Sequence, residues 1–386
     1  MRILVDAAIP GSFDDLGQVT RLAGEDIDRG ALTGVDALIV RSVTRVDSAL
    51  VSGTPVDFVG SATIGQDHVD VGWLARAGIT FANARGCNAN AVTQFVLATV
   101  VGAARHNSDW AESSTVGVVG HGAIGGRVAR LFRALGRTVL VSDPPQQAVA
   151  LDPDVTYVPL PQLIEECGVV SVHVPLTRDG AHPTHHLFGA AELGRMPADA
   201  LLVNTSRGAV IDHRVLAAGG YAGFLALDVW EGEPNLCWPV LADARVLWRT
   251  PHVAGYSREG KATATAMIRR ALAEHRGLAV SETGCAFSPQ VVSTEGLPSR
   301  LAAHEAAAWC LLQACPLVAD DRAMRSLLDL PEAERAGAFS RQRANYPLRA
   351  EFEGWRVPAR VLESVEPSRR EAVVASLKLA GFMVDC

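Results

Sequence analysis

Apolar residues run through the first two thirds of the chain in short unbroken blocks rather than in strict alternation. RILVD, ALIVRS, FVGSA and ITFAN predict buried strands ending near Asp6, Ser42, Ala62 and Asn83. A longer stretch, 89–105, predicts an amphipathic helix. The strand rhythm then restarts in TVGVVG, TVLVSD, VVSVHVP, ALLVNTS, FLALDVW and RVLWRTP. Continuous apolar strands separated by helical stretches indicate parallel sheets covered on both faces. The rhythm runs twice with the long helix between, so two doubly wound α/β domains in series are expected.

KATATAMIRRALAEHR predicts a further helix to about Arg276 that carries the chain back to the first domain and makes it discontinuous. GCAFSPQVVSTEGLP reads as a linker. Beyond it LPSRLAAHEAAAWCLLQA predicts a helix, LRAEFE and RVPARVLE predict strands, and REAVVASLKLAG predicts a helix capped by Gly381. FMVD predicts a last short strand. The expected boundaries are 1–92 with 256–283 for the first domain, 93–255 for the second, and 284–386 for a small third α/β domain.

The length of 386 residues is ample for several cores. With 48% hydrophobic and 20% charged residues, the balance is that of a soluble globular protein. A net charge of -7 gives no basic field for nucleic acid or an anionic membrane, although a local arginine cluster can still bind a small anion. Seven scattered cysteines without C-x-x-C point to free thiols in a reducing, cytoplasmic compartment. The chain reaches Asp6 too early for a signal-peptide core. The longest nearly apolar run, 91–104, is interrupted by Thr93, Gln94 and Thr99 and falls short of the ~20 residues of a membrane span.

Candidate chemistry begins where TVGVVG runs into Gly120, Gly122 and Gly125, a G-x-G-x-x-G turn before a helix, with the next strand ending at Asp143. Gly120 permits the tight turn, Gly122 the approach of a diphosphate, and Gly125 close helix packing. Ala123 and Ile124 complete the turn, and the helix N-terminus offers unpaired N–H groups to the anion. A carboxylate at Asp143 would accept from ribose hydroxyls and repel a 2′-phosphate, which favours NAD over NADP.

Further polar residues follow later strands. Arg207 lies in NTSRGAVID, Asp228, Glu231 and Glu233 in DVWEGEP, and His252 in RTPHVAGYS. Doubly wound sheets bind ligands beyond the carboxyl ends of their strands. Taken alone, His252 is a core filler, a metal ligand or an acid–base group. The convergence favours the last, with a neighbouring glutamate holding its tautomer. Arg207 offers a planar fork to a carboxylate, or else caps a helix or pairs with an acid. His182, His185 and His186 have no cysteine or acidic ligand in the local sequence, so no metal is expected. Cys87 lacks a base partner and reads as a packed thiol.

The glycine turn with Asp143, then NTSRGAVID, DVWEGEP and TPHVAGYS, in this order, resemble the D-isomer-specific 2-hydroxyacid dehydrogenases over roughly 1–283. That resemblance implies an NAD-binding Rossmann domain inserted in a discontinuous substrate domain. It also implies a catalytic set falling on Arg207, Glu233 and His252. VRSVT, GSATIGQDHVD, GCNANAV, SDPP and RANYPLRAEF extend the likeness over nearly the whole chain, toward members that oxidise a phosphorylated sugar acid. Those members form a homodimer through an added C-terminal domain. The implied substrate contacts are Ser42, Thr63 and Tyr256; the implied NAD contacts are Asp143, Asp228 and Gly255.

A phosphate also requires cations. Arg41 and Arg45 flank Ser42, and Arg343, in an arginine-rich stretch, is expected to reach a partner subunit's site, a solvated charge being the alternative. Two positions depart from the family pattern: Gln94 stands where a glutamate is common, and Val174 where threonine is frequent. Two other functions stay open: dehydrogenation of another 2-hydroxy acid such as 3-phosphoglycerate, and a non-enzymatic NAD-sensing interaction protein.

Overall fold

The computed structural model describes residues 1–149, 154–279 and 287–385, so Cys285, Cys386 and part of the expected linker lie outside the described residues. The chain forms two compact units, Met1–Ala89 with Ser257–Phe287, and Asn90–Tyr256 with Ser288–Cys386.

In the first unit, β1 (Arg2–Asp6), β2 (Gln18–Leu22), β3 (Ala37–Val40), β4 (Phe58–Ser61) and β5 (Thr80–Asn83) build one parallel sheet in the order β2-β1-β3-β4-β5. β2 was not expected. Its sequence, QVTRL, mixes polar and apolar residues because it lies at the sheet edge and is only partly buried. The helix Arg258–Arg276 returns to this sheet: Ile268 and Leu272 pack in one cluster with Ile3, Val5, Ile39 and Phe58.

The second unit holds β6 (Val116–Val119), β7 (Val139–Ser142), β8 (Thr156–Tyr157), β9 (Val169–Val172), β10 (Leu201–Asn204), β11 (Phe224–Leu227) and β12 (Val246–Arg249). They form a parallel sheet in the order β12-β11-β10-β9-β6-β7-β8. This is the doubly wound dinucleotide-binding order with one further strand, and the direction of winding reverses at β6. Register aligns Val119 with Ser142 and Val172, then Val172 with Asn204, Asn204 with Leu227, and Leu227 with Arg249. The loops after these strands therefore open along one edge.

The helix Ala89–Ala103 is not amphipathic, contrary to the expectation. Every residue from 91 to 100 is buried. Val92, Phe95, Val96 and Val100 share a core cluster with Val118 and Trp248 of the sheet and with Ala306, Phe352 and Phe382 of the C-terminal part. A helix covered on more than one side has no use for a polar face. Polar Gln94 takes hydrogen bonds from inside the packed region, its Oε1 accepting from Phe352 N at 2.9 Å, and the Thr99 carbonyl accepts from Trp248 Nε1 at 3.1 Å.

The expected third domain was 284–386; by contacts, Ser288–Cys386 cluster with Asn90–Tyr256. β13 (Gln290–Val291), β14 (Trp355–Val357) and β15 (Met383–Val384) make a small parallel sheet. LRAEFE is not a strand: it is buried irregular chain ending in the 3-10 turn Phe352–Gly354. RVPARVLE begins as β14 but turns helical at Ala359–Glu363, because Pro358 cannot continue a ladder and suits a helix start. Helices Leu317–Arg325 and Glu332–Ala344, unexpected from the pattern, begin directly after Pro316 and Pro331.

One buried charge ties the C-terminal part to the sheet. Arg249, fully buried at the end of β12, donates to the carbonyls of Leu241, Asp243 and Val246 and to Asp321 Oδ1 at 2.8 Å. Asp321→Ala would strand that guanidinium without its counter-charge. The expected cost is about 3 kcal/mol of stability, read as a lower midpoint in chemical denaturation; an unchanged midpoint would show the pair to be dispensable.

Candidate active site

The glycine turn follows β6. Gly120 has φ of 93°, and the helix Gly125–Ala134 begins without a side-chain cap, leaving its first N–H groups facing the loop. A Cβ at Gly125 would lie 1.8 Å from the Gly120 carbonyl oxygen, whereas a Cβ at Gly122 would meet nothing within 4 Å. Gly125 is therefore required by the fold. Gly122 and Ala123 are exposed and border open space that a diphosphate fits, and Ile124 is partly buried beside them. Asp143 follows β7, and its Oδ2 accepts from the His121 N–H at 2.6 Å, which holds the carboxylate against the glycine turn. Its Oδ1 accepts from Gln146 N. The donor set and the acid fit an NAD cofactor.

The loops after β10, β11 and β12 carry Arg207, Glu233 and His252. Asn204 is buried; its side chain accepts from Ser206 and donates to the Arg207 carbonyl at 3.0 Å, fixing the turn that presents Arg207. Arg207 is partly buried, with Nη1 on the Ser206 carbonyl. At Gly208 a Cβ would lie 2.0 Å from the Trp230 carbonyl carbon, so only glycine lets the Arg207 turn press against the loop that carries Glu233.

His252 Nδ1 lies 2.9 Å from Glu233 Oε2, while Glu233 Oε1 accepts from the Trp230 N–H at 2.8 Å. An ionised carboxylate only accepts, so His252 carries a proton on Nδ1, and in the neutral ring the lone pair is then on Nε2. Burial pushes the Glu233 carboxyl up, but the His252 bond and charge, the Trp230 N–H and the nearby Arg343 outweigh it and hold it below its ordinary value. His252 has a left-handed backbone, φ 61°, rare for a side chain with a Cβ. That conformation is held by Asp228: its carbonyl accepts from His252 N at 2.7 Å, and its carboxylate accepts from Thr250 Oγ1, Val253 N and Ala254 N. Asp228, which the resemblance makes a contact of NAD, is buried, and its carboxylate holds these three donors. Gly255 and Tyr256 follow in the same loop, both partly buried.

Arg343 was expected to serve a partner subunit. In one chain its Nη1 already lies 3.9 Å from Glu233 Oε2 of the same unit. Sequence reasoning also missed the residues around it. Tyr346 packs edge-on against Tyr256, with ring centroids 6.2 Å apart, and donates its hydroxyl to Asp320 Oδ2 at 2.8 Å. Burial pushes the Asp320 carboxyl up to about 7, against the Tyr346 bond and the charge of Arg349. Arg349 is buried and donates through Nη2 to the carbonyls of Ala91 and Ala254. Gln94, the departure from the family pattern, is explained in the same region: its Oε1 accepts from Phe352 N and its Nε2 donates to Glu353, a pair of bonds that a carboxylate cannot make.

The remaining expected substrate residues lie in the first unit, also after strand ends. Arg41 Nε contacts Asp6 Oδ2 at 3.0 Å; Ser42 is exposed; Thr63 shares a hydrogen bond with Ser61 at 2.8 Å. Lys261, unremarked in the sequence, has its ammonium disfavoured first by burial and then by Arg41, so the two cations are neighbours. Cys87 is a partly buried thiol that forms no disulfide.

The histidine cluster does have acidic neighbours, contrary to its local sequence. His186 Nε2 lies 2.7 Å from Glu231 Oε1 and its Nδ1 3.3 Å from Asp212 Oδ2, and the His185 ring stacks on it. Those partners are distant in sequence, which hides them from a local reading.

Comparison with known proteins bears on the whole chain. The family model for D-isomer specific 2-hydroxyacid dehydrogenase, NAD binding domain, matches residues 87–254. A Pseudomonas aeruginosa protein named erythronate-4-phosphate dehydrogenase is 45% identical over 370 residues, covering 92% of this chain and 95% of that one. One of the same name from Salinibacter ruber is 41% identical over 392 residues, 98% of each chain. The solved 2-hydroxyacid dehydrogenase of Ketogulonicigenium vulgare matches at 25% identity with a TM-score of 0.58, over 72% of this chain and 96% of its own. The chain belongs to the D-isomer specific 2-hydroxyacid dehydrogenases, a family of NAD-dependent enzymes. Its likeness along nearly the full length is to proteins named erythronate-4-phosphate dehydrogenase.

Two predictions follow from the site's geometry. Gly122→Ala is expected to leave thermal stability unchanged and weaken NADH binding, measured by fluorescence titration, whereas Gly125→Ala lowers the unfolding temperature. Equal effects on folding would remove the distinction. Asp320 holds its proton more tightly folded than unfolded, so its contribution to stability falls as pH rises from about 4 to about 7. Asp320→Asn should therefore gain unfolding temperature relative to the natural chain across that interval and plateau above it; a gain that shrinks with pH would contradict the assignment.

Proposed function

We propose that this enzyme oxidises the 2-hydroxyl of 4-phospho-D-erythronate to (R)-3-hydroxy-2-oxo-4-phosphooxybutanoate, a step in pyridoxal 5′-phosphate (vitamin B6) biosynthesis. The observation that carries this reading is the likeness, 45% identity across 92% of the chain, to a protein named for that activity. The catalytic roles are read from the site.

NAD, when bound at the glycine turn with its ribose at Asp143, supplies the hydride acceptor. His252 takes the proton of the substrate hydroxyl at Nε2, the nitrogen left with a lone pair by the Glu233 contact. Glu233 keeps the ring in that tautomer and stabilises the imidazolium that forms. Arg207 clamps the substrate carboxylate through its planar fork and polarises the C2–O bond. Asp228 acts on the reaction through the loop it holds. In the first unit, the Ser42 and Thr63 hydroxyls contact the substrate, and Arg41 with Lys261 offers positive charge to the phosphate. By the same likeness Tyr256 is a substrate contact, and Arg343 is a further cation for the phosphate. The second unit is the NAD-binding part and the first is the substrate-binding part.

The C-terminal residues also form the contact between two copies of the chain. Support comes from Val291, Val318, Leu348, Leu379 and Met383, large apolar side chains left exposed there. A reducing, cytoplasmic setting is supported by Cys87, Cys167, Cys237, Cys310 and Cys315, which form no disulfide. No helix among the described residues is long and apolar enough to cross a membrane.

The test is NADH formation by the pure protein on 4-phospho-D-erythronate beside 3-phosphoglycerate, with and without 2-oxoglutarate as an acceptor for tightly held cofactor. Preference for the erythronate compound is expected. Preference for 3-phosphoglycerate would change the substrate, and binding of NAD without turnover on either would favour the sensing protein. His252→Ala should lose on the order of 10²–10⁴-fold in kcat with NADH binding retained; near-normal turnover would remove His252 from the mechanism. Sedimentation should give twice the 40.8 kDa chain mass, and a monomer at assay concentration would overturn the dimer.

A further inference from the structure

Resting on that reading of the site, we infer that residues 346–349 of the C-terminal part position the catalytic loop of their own chain, with Arg349 and Tyr346 fixing the conformation in which His252 meets Glu233. The expected function of the C-terminal part is dimer formation, yet its side chains reach the acid–base loop within one unit.

The loop from Thr250 to Tyr256 has three anchors. The first is Asp228, which collects the N–H groups of Val253 and Ala254. The second is Arg349, whose Nη2 donates to the Ala254 carbonyl at 2.9 Å and to the Ala91 carbonyl at 2.6 Å. Ala254 is thus held at its N–H from the sheet and at its carbonyl from the C-terminal part. The same guanidinium pins the loop to the helix Ala89–Ala103. Arg349 is only 8% exposed, so water cannot readily replace it as donor to those carbonyls.

Tyr346 anchors the other end of the loop. Its ring meets the Tyr256 ring edge-on, and its hydroxyl is fixed by Asp320 on the helix Leu317–Arg325. That helix is joined to β12 by the Asp321–Arg249 pair, and β12 is the strand that delivers His252. The charged and titratable groups acting on Asp320 are Tyr346, Asp228 and Arg349. Strand, loop and C-terminal segment form a closed circuit around His252. A residue with φ of 61° stays there only when its surroundings over-determine it. Asp228 and Arg349 together provide that surplus.

The test compares Arg349→Met, Arg349→Lys and Tyr346→Phe with the natural chain by kcat and KM for 4-phospho-D-erythronate, NADH affinity and thermal unfolding. Arg349→Met is expected to lower kcat on the order of 10²-fold with NADH affinity kept within about twofold, because a small misplacement of the base costs turnover rather than cofactor binding. Arg349→Lys, which keeps a donor for the Ala254 carbonyl, recovers part of that loss. Tyr346→Phe raises KM more than it lowers kcat. The inference is overturned if Arg349→Met turns over normally, or if both Arg349 variants lose turnover and NADH affinity together as a misfolded chain would. If the natural chain is inactive on this substrate, the functional reading fails separately. The positioning is then judged by the ¹⁵N signals of His252, which Arg349→Met must shift; unchanged signals overturn it.

Discussion

The buried carboxylate of Asp228 is the constraint on which the rest of the site depends. It ends β11 and takes donors from Thr250, Val253 and Ala254, while its carbonyl takes the N–H of His252. Three donors on one buried carboxylate offset the cost of removing it from water. Their combined effect is to bend the chain after β12 so that His252 adopts a left-handed backbone and turns Nδ1 to Glu233. Without that bend, Glu233 would be a buried acid with little reason to be there.

The sheet topology makes the bend useful. β10, β11 and β12 are adjacent and parallel, with their ends in register, so Arg207, Asp228 and His252 leave the sheet side by side. The glycine turn leaves the same edge at β6, where the order of winding reverses. One sheet thus presents the glycine turn, Asp143 and the hydrogen-bonded His252–Glu233 pair along one edge. Gly208 closes the arrangement by letting the Arg207 turn touch the Trp230 backbone. The C-terminal residues then cover the loops from the other side, which explains why the helix Ala89–Ala103 is buried on nearly all its faces.

Much of this was legible in the sequence, for identifiable reasons. Buried parallel strands write themselves as unbroken apolar runs, and the glycine turn is readable because Gly125 admits no Cβ. Arg207 and His252 stood out as candidates because each follows such a run, and Glu233 was singled out among the DVWEGEP acids by the family resemblance. What was illegible depends on contacts between distant segments. The edge strand β2 lacks an apolar run because little of it is buried. LRAEFE looks like a strand, but Phe352 turns inward into a core shared with the helix Ala89–Ala103. Arg343 and Arg349 read as loose basic charge until the fold brings them to Glu233 and Ala254. Gln94 reads as a departure from type until its two bonds to Phe352 and Glu353 are seen.

The central claim is that the nitrogen left open by the Glu233–His252 contact is the one that takes the substrate proton. The most direct measurement is a crystal structure of the unreactive complex with NADH and 4-phospho-D-erythronate, in which both partners are already reduced. The C2 hydroxyl oxygen is expected about 3 Å from His252 Nε2, with the carboxylate of the same molecule on Arg207. A C2 hydroxyl bonded to another side chain, with His252 Nε2 facing away from it, would contradict the claim.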